Sequence, residues 1–234
     1  MSSIAAATPS KGRLPPLRLT DGAVEALKWL ALAAMVLDHA NKYLWHDSVH
    51  LAFNLGRIAM PIFAVLLGFN LARGVPGAYR RTGWRLLWAG VVATVPFIAL
   101  GGLGWGWWPL NIMATLLVAT AVCGALATGR PLHVGLAAGV FVVGGSSVEF
   151  WWPGIALCVA AWSYARAPSW PALVMGLVSL AALRVVNGND WALLAIPLIV
   201  AAAFWTRPVP RIRYVFYALY PAHLAALWWL QRQA

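Results

Sequence analysis

Charge is scarce in this chain. Only 10% of its 234 residues are charged, and Asp and Glu together number six. A soluble domain of this length carries roughly 25% charged residues, so there is too little polar surface here to coat a water-facing protein. Cysteine is almost absent. Cys123 and Cys158 both sit in apolar runs, too few for a disulfide framework or a metal cluster. Low-complexity tracts and internal repeats are lacking as well. Together these absences exclude a soluble enzyme, a disordered chain and a fibrous repeat. What remains is apolar: 62% hydrophobic residues and a mean hydropathy of +0.75. The chain reads as one membrane-embedded, all-α domain.

Residues 1–23 form a polar, Pro-containing arm with Lys11, Arg13 and Arg18, too long and too polar for the n-region of a signal peptide. It is expected to be a flexible cytoplasmic tail preceding a single helical domain over 24–234. Beyond it, apolar runs with short breaks predict about nine helices, with eight to ten as the range, near 24–45, 50–72, 80–101, 109–127, 132–147, 153–166, 169–186, 190–206 and 212–231. A full span needs roughly 20 residues, so the fifth, sixth and eighth runs are short for one.

The net charge of +11 would ordinarily raise nucleic acid as a partner. Its distribution says otherwise. With the N-terminus in the cytoplasm, the inner side carries Lys11, Arg13, Arg18, Arg73, Arg80, Arg81, Arg85, Arg130, Arg166, Arg207, Arg211 and Arg213, while the outer side carries Lys42, Arg184 and Arg232. That asymmetry is the positive-inside pattern of a multi-pass membrane protein with an outer C-terminus. Tryptophans such as Trp29, Trp84 and Trp170 on the inner side and Trp45, Trp107, Trp151 and Trp228 on the outer fit the two interfaces. Lipid is the expected surrounding, and no nucleic-acid role is assigned.

Ionisable groups inside spans cost at least about 2.5–3.5 kcal/mol each and therefore point to function. The first predicted helix carries Lys28, Asp38, His39 and Lys42. Lys28 and His39, eleven residues apart, share a face at about 16 Å separation. Asp38 is placed to meet either Lys42, four residues on, or Arg57 of the next helix, whose depth matches that of His39. Pro61 leaves the Arg57 carbonyl without its helical partner. An Asp38–Arg57 pair serving only helix packing is one outcome; a histidine tuned by these charges is the other. Asn111 is placed for a helix cap or a functional role, and Glu149 for a solvated loop. Tyr217, Tyr220 and His223 flank Pro221 in the last helix. Arg73, Arg80, Arg81 and Arg85 crowd one inner loop, where guanidinium forks suit phosphates. Composition alone leaves open a membrane enzyme drawing an anionic donor from the cytoplasm, a small transporter or flippase, and a structural subunit.

Leu27-Lys28-Trp29-Leu30 leading to Leu37-Asp38-His39, then Gly56-Arg57-Ile58-Ala59-Met60-Pro61-Ile62-Phe63, Asn111–Leu116, Glu149–Gly154 and Phe216-Tyr217-Ala218-Leu219-Tyr220-Pro221-Ala222-His223-Leu224 together resemble the TraX family of conjugal-transfer proteins. The short length and basic arm look most like its TrbP-type members. The resemblance implies an inner-membrane acetyltransferase that moves acetyl from acetyl-CoA to the N-terminal amine of a conjugative pilin subunit, without a metal. The family is similar to the wider multi-pass membrane acyltransferases, whose first helix carries a basic residue, ten positions, then a histidine; Lys28 and His39 fit. It further implies catalytic roles for Asp38, His39, Arg57, Tyr220 and His223. For the CoA phosphates, Lys28, Arg73, Arg80, Arg81 and Arg85, with Asn111, are the expected contacts.

Overall fold

A computed structural model describes residues 14–212 and 214–233. Lys11, Arg13 and Arg213, and with them most of the expected arm, lie outside the described residues. The arm's end is docked on the protein: the Tyr164 hydroxyl donates to the Pro15 carbonyl at 2.7 Å, and Leu19 is buried.

The described residues form helices α1 (Asp21–Leu44), α2 (His50–Gly56), α3 (Ala59–Ala72), α4 (Ala78–Ala99), α5 (Ile112–Leu126), α6 (Pro131–Ser147), α7 (Trp151–Arg166), α8 (Trp170–Ala182), α9 (Arg184–Asn187), α10 (Ala195–Ala202), which follows a 3-10 turn at Trp191–Leu194, and α11 (Val215–Gln231). Each of the nine predicted runs has a counterpart. Three of those runs are broken: the second at Arg57–Ile58, the seventh at Leu183, and the eighth between the 3-10 turn and α10. Three uninterrupted or nearly uninterrupted stretches, His50–Ala72, Ala78–Ala99 and Trp170–Asn187, are long and apolar enough to cross a membrane. α1 has the length but carries five charges.

Local chemistry sets the ends. Thr20 caps α1 by accepting from Ala23 N at 3.0 Å, and its hydroxyl donates to the Trp205 carbonyl, tying the start of α1 to the loop after α10. Asn111 caps α5 by accepting from Met113 N at 3.0 Å, satisfying one of the orphan amides of a helix start. Pro61 stands in the first turn of α3, where a missing N–H costs nothing.

α1, α3, α5, α7 and α11 supply most of the packed centre, with Ala23, Ala31, Ile62, Ala64, Ala119, Ile155 and Leu224 almost wholly buried. Small residues bring the axes close. Gly68 of α3 lies against the Cys158 carbonyl of α7 with no room for a Cβ. Around this centre the order of a soluble protein is reversed: Val92, Val95, Val143 and Val178 are each about 60% exposed or more, while Asp38, Asn41, Asn111 and Thr115 are buried. An apolar exterior with polar groups held inside is what lipid requires.

Candidate functional site

The ionisable residues gather in two places, one at each end of α1. At its C-terminal end, Arg57 sits in the break between α2 and α3. There its guanidinium pairs with the Asp38 carboxylate, its Nε donates to the Phe53 carbonyl at 3.1 Å, and its plane lies 4.3 Å from the Phe53 ring centroid. Asp38 therefore pairs with Arg57 rather than Lys42. Gly56 makes the approach possible, because a Cβ there would overlap the Asp38 side chain. Two buried charges are thus committed to each other.

The next residue of α1, His39, belongs to a pair of imidazoles. His39 Nδ1 and His223 Nε2 are 2.7 Å apart, with the rings nearly parallel at 7°. His223 Nδ1 lies 2.9 Å from the Leu219 carbonyl, which can only accept, so Nδ1 carries the hydrogen. In a neutral His223, Nε2 is then the acceptor, and His39 Nδ1 is the donor. By elimination the lone pair of His39 is on Nε2, which makes no hydrogen bond among the described residues. The chain Leu219 C=O, His223, His39 fixes tautomer and ring orientation as a carboxylate fixes the histidine of a hydrolase triad. Tyr43 packs on His39, with ring centroids 5.9 Å apart, and Tyr220 packs edge-on against His223 at 5.5 Å.

Glu149, expected as a solvated loop residue, is not one. It lies in the short connection between α6 and α7, and the chain there is pinned to the start of α5: Leu110 N donates to Ser147 O and Glu149 N to Leu110 O, each at 2.9 Å. The carboxylate is turned inward. It faces the Ile112 amide at the first turn of α5, with Lys42, Arg57 and Asp38 as its charged neighbours, and its charge reaches Tyr43 and Tyr220. Burial pushes its pKa up to about 7; Lys42, Arg57 and the Ile112 amide oppose that rise. One signal in the sequence could have found it, a single carboxylate in a connection too short to project into water between two apolar helices.

At the N-terminal end of α1 a cavity of about 530 Å³ opens among Lys28, Arg73, Arg81, Arg85 and Arg211. It runs between apolar walls that include Leu32, Met35, Phe63 and Leu66, and it ends on Ile112, Met113 and Tyr220. Not every basic group here is free. Lys28 Nζ bonds Glu25 Oε1 at 2.7 Å, and Arg73 pairs with Asp21 at 2.6 Å. Arg85 lies over the Tyr214 ring at 4.7 Å. Among the described residues, Arg81 and Arg85 have no carboxylate partner. Arg80 is exposed and outside the cavity wall. Asn111 is outside it too; its amide donates to Gly90 O at 3.0 Å and Thr94 Oγ1 at 3.3 Å, so its polar atoms are consumed in capping α5 and clamping it to α4. His39, Arg57 and His223 do not line the cavity either. Tyr220 is the wall between: one of its neighbours is the cavity, another His223. No group of three or more metal-binding side chains is present among the described residues.

Fold and site together define a polytopic helical membrane protein with a basic-mouthed cavity leading toward a hydrogen-bonded histidine pair. The family model described as "TraX protein" matches residues 23–231, and the chain belongs to that family. Two curated relatives are similar over part of it: Protein TraX of Escherichia coli strain K12 is 35% identical over 101 residues, and Protein TraX of Escherichia coli is 32% identical over 105. Each alignment takes in 43% of this chain and 39% of the relative, so the chain spans well under half the length of the curated relatives it matches. No solved structure matches.

Proposed function

We propose that this conjugative-transfer membrane protein is an N-acetyltransferase of the bacterial inner membrane, with its N-terminus in the cytoplasm and its C-terminus in the periplasm. It takes acetyl from acetyl-CoA and delivers it to the N-terminal amine of a pilin subunit. The observation that carries the proposal is the His39–His223 pair with its unbonded Nε2, one tyrosine away from a cavity whose mouth is cationic.

The chemistry follows from those groups. Arg81 and Arg85 hold the phosphates of the donor, since guanidinium forks bind phosphate bidentately. The apolar walls between Leu32 and Met35 on one side and Phe63 and Leu66 on the other suit a slender neutral arm rather than a second charged group. The amine nitrogen attacks the thioester carbon, a C–N bond forms, and a proton leaves nitrogen for His39 Nε2. A neutral imidazole with an unoccupied ring nitrogen is the group placed to take that proton. His223 then accepts a hydrogen bond from an imidazolium and disperses its charge. The C–S bond breaks, and sulfur leaves with the proton as a thiol. Arg57, committed to Asp38, positions the end of α1 rather than touching the reacting atoms. Tyr220 must yield for the thioester to meet His39.

The test uses purified full-length protein, labelled acetyl-CoA and a peptide bearing a pilin-like free N-terminus. His39→Ala is expected to lose transfer by about 10²–10⁴ while retaining its helical content and detergent-solubilised size. Undiminished transfer removes His39 from the mechanism.

A further inference from the structure

Acylation of an amine has a demand that acylation of a hydroxyl lacks. At neutral pH an α-amine, with pKa near 8, is an ammonium. It must lose one proton before it can attack and a second as the amide forms. The histidine pair accounts for one of these transfers. A second acceptor is needed, and it must be a group that also draws a cation in.

Glu149 has that position. The bridge from Leu110 to Ser147 and Glu149 holds its carboxylate against the start of α5. Tyr43 and Tyr220, both near enough to feel its charge, are the tyrosines that pack on His39 and His223. Its charged neighbours are Lys42 and Asp38 from α1 and Arg57 from the α2–α3 break. Arg57 is taken by Asp38, and Lys42 lies over the Tyr43 ring at 5.2 Å. Among the described residues no cation comes within ion-pair distance of Glu149. A half-buried carboxylate with no cation within ion-pair distance is suited to receive an ammonium group.

We propose that Glu149 binds the ammonium of the acceptor and takes its first proton, which makes the site selective for amine over hydroxyl acceptors. This rests on the acetyltransferase reading above. In sequence, R–NH₃⁺ gives one proton to the Glu149 carboxylate, and the free amine attacks the thioester carbon. The remaining surplus proton passes to His39 Nε2 and on to the departing sulfur, and Glu149 returns its proton to water. Ammonium and thioester become amide, thiol and one released proton. An ordinary carboxyl group titrates about four units below such an amine and is a poor base for it; one near 7 is close to matched.

The experiment follows kcat/KM for a peptide with a free N-terminal amine, using full-length protein in detergent and acetyl-CoA at saturation. Glu149→Gln is expected to lose about 100-fold near pH 7 and to come within about threefold of wild type near pH 9, where the amine is already unprotonated. Glu149→Asp restores most of the neutral-pH rate. An equal loss at both pH values, or no loss near pH 7, overturns the proposal. In the wild type itself, an N-trimethylated peptide, permanently cationic, is expected to compete with the acceptor, whereas the uncharged peptide with a hydroxyl in place of the amine is not. Equal competition by the two overturns it without any variant. A wild-type protein that binds CoA but acetylates no amine would instead defeat the acetyltransferase reading.

Discussion

The two ends of α1 handle charge in opposite ways. At the N-terminal end, arginines outnumber their partners. Arg81 and Arg85 have no carboxylate, Arg73 shares an exposed pair with Asp21, and the groups surround an open cavity mouth. At the C-terminal end, charges are few and inward. Asp38 belongs to Arg57, His39 to His223, and the Glu149 carboxylate faces the first turn of α5. The first arrangement keeps surplus positive potential available for a mobile anion. The second fixes geometry, because a buried charge without a partner is expensive and each partner therefore dictates the position of the next group. Binding by surplus and positioning by pairing are thus separated along one helix by about three turns.

That contrast can be broken from either side. The largest effect is expected from splitting the inward pair. Asp38→Ala leaves the Arg57 guanidinium buried and unpaired, which costs about 3–5 kcal/mol. Asp38→Ala with Arg57→Leu is expected to recover part of that loss, as judged by thermal unfolding in detergent. If the double variant is no more stable than the single one, the pair is not what holds α1 to the α2–α3 break. At the other end, Arg81→Ala and Arg85→Ala are expected to leave stability nearly unchanged and to weaken CoA binding by about tenfold each. The loss should be steeper at low salt, since screening shortens the reach of exposed charge. Equal affinity in titration calorimetry would remove those arginines from donor binding. The smallest effect belongs to the exposed Arg184–Asp190 pair. Asp190→Asn should move stability by no more than about 1 kcal/mol, which sets the baseline against which the Asp38 result is read.

pH offers a sharper version of the same comparison. Glu149 is uncharged below about 7 and ionised above it, so its ability to take a proton is gained as pH rises through that value. The arginines keep their charge throughout. Donor binding should therefore be flat from acid to neutral pH where acceptor turnover climbs.

The helices were legible because apolar run length and interruption by Gly, Pro and charge are local properties. His39, Arg57, Tyr220 and His223 could be singled out because an ionisable or polar group in an apolar run is conspicuous wherever it ends up. Their partners could not be. Lys42 and Arg57 were equal candidates for Asp38 along the chain; the break at Arg57–Ile58 and the missing side chain at Gly56 decided for Arg57. Asn111 carried the same local signal for a cap as for a ligand, and the nearness of Gly90 and Thr94 on α4 decided for the cap. Arg80 and Arg81 are adjacent in sequence, yet helical rotation turns one out to the surface and the other toward the cavity.

Sequence alone determined that the protein is helical and that it carries too little charge to cover its surface, so that apolar side chains must face outward. Those follow from composition and period, which no packing can reverse. Tertiary structure alone decided that His39 meets His223 across 184 positions of chain, that Glu149 turns inward, and that the cavity stops at Tyr220. Contacts between distant segments depend on which faces the helices present to one another, and that is fixed only when all of them pack together.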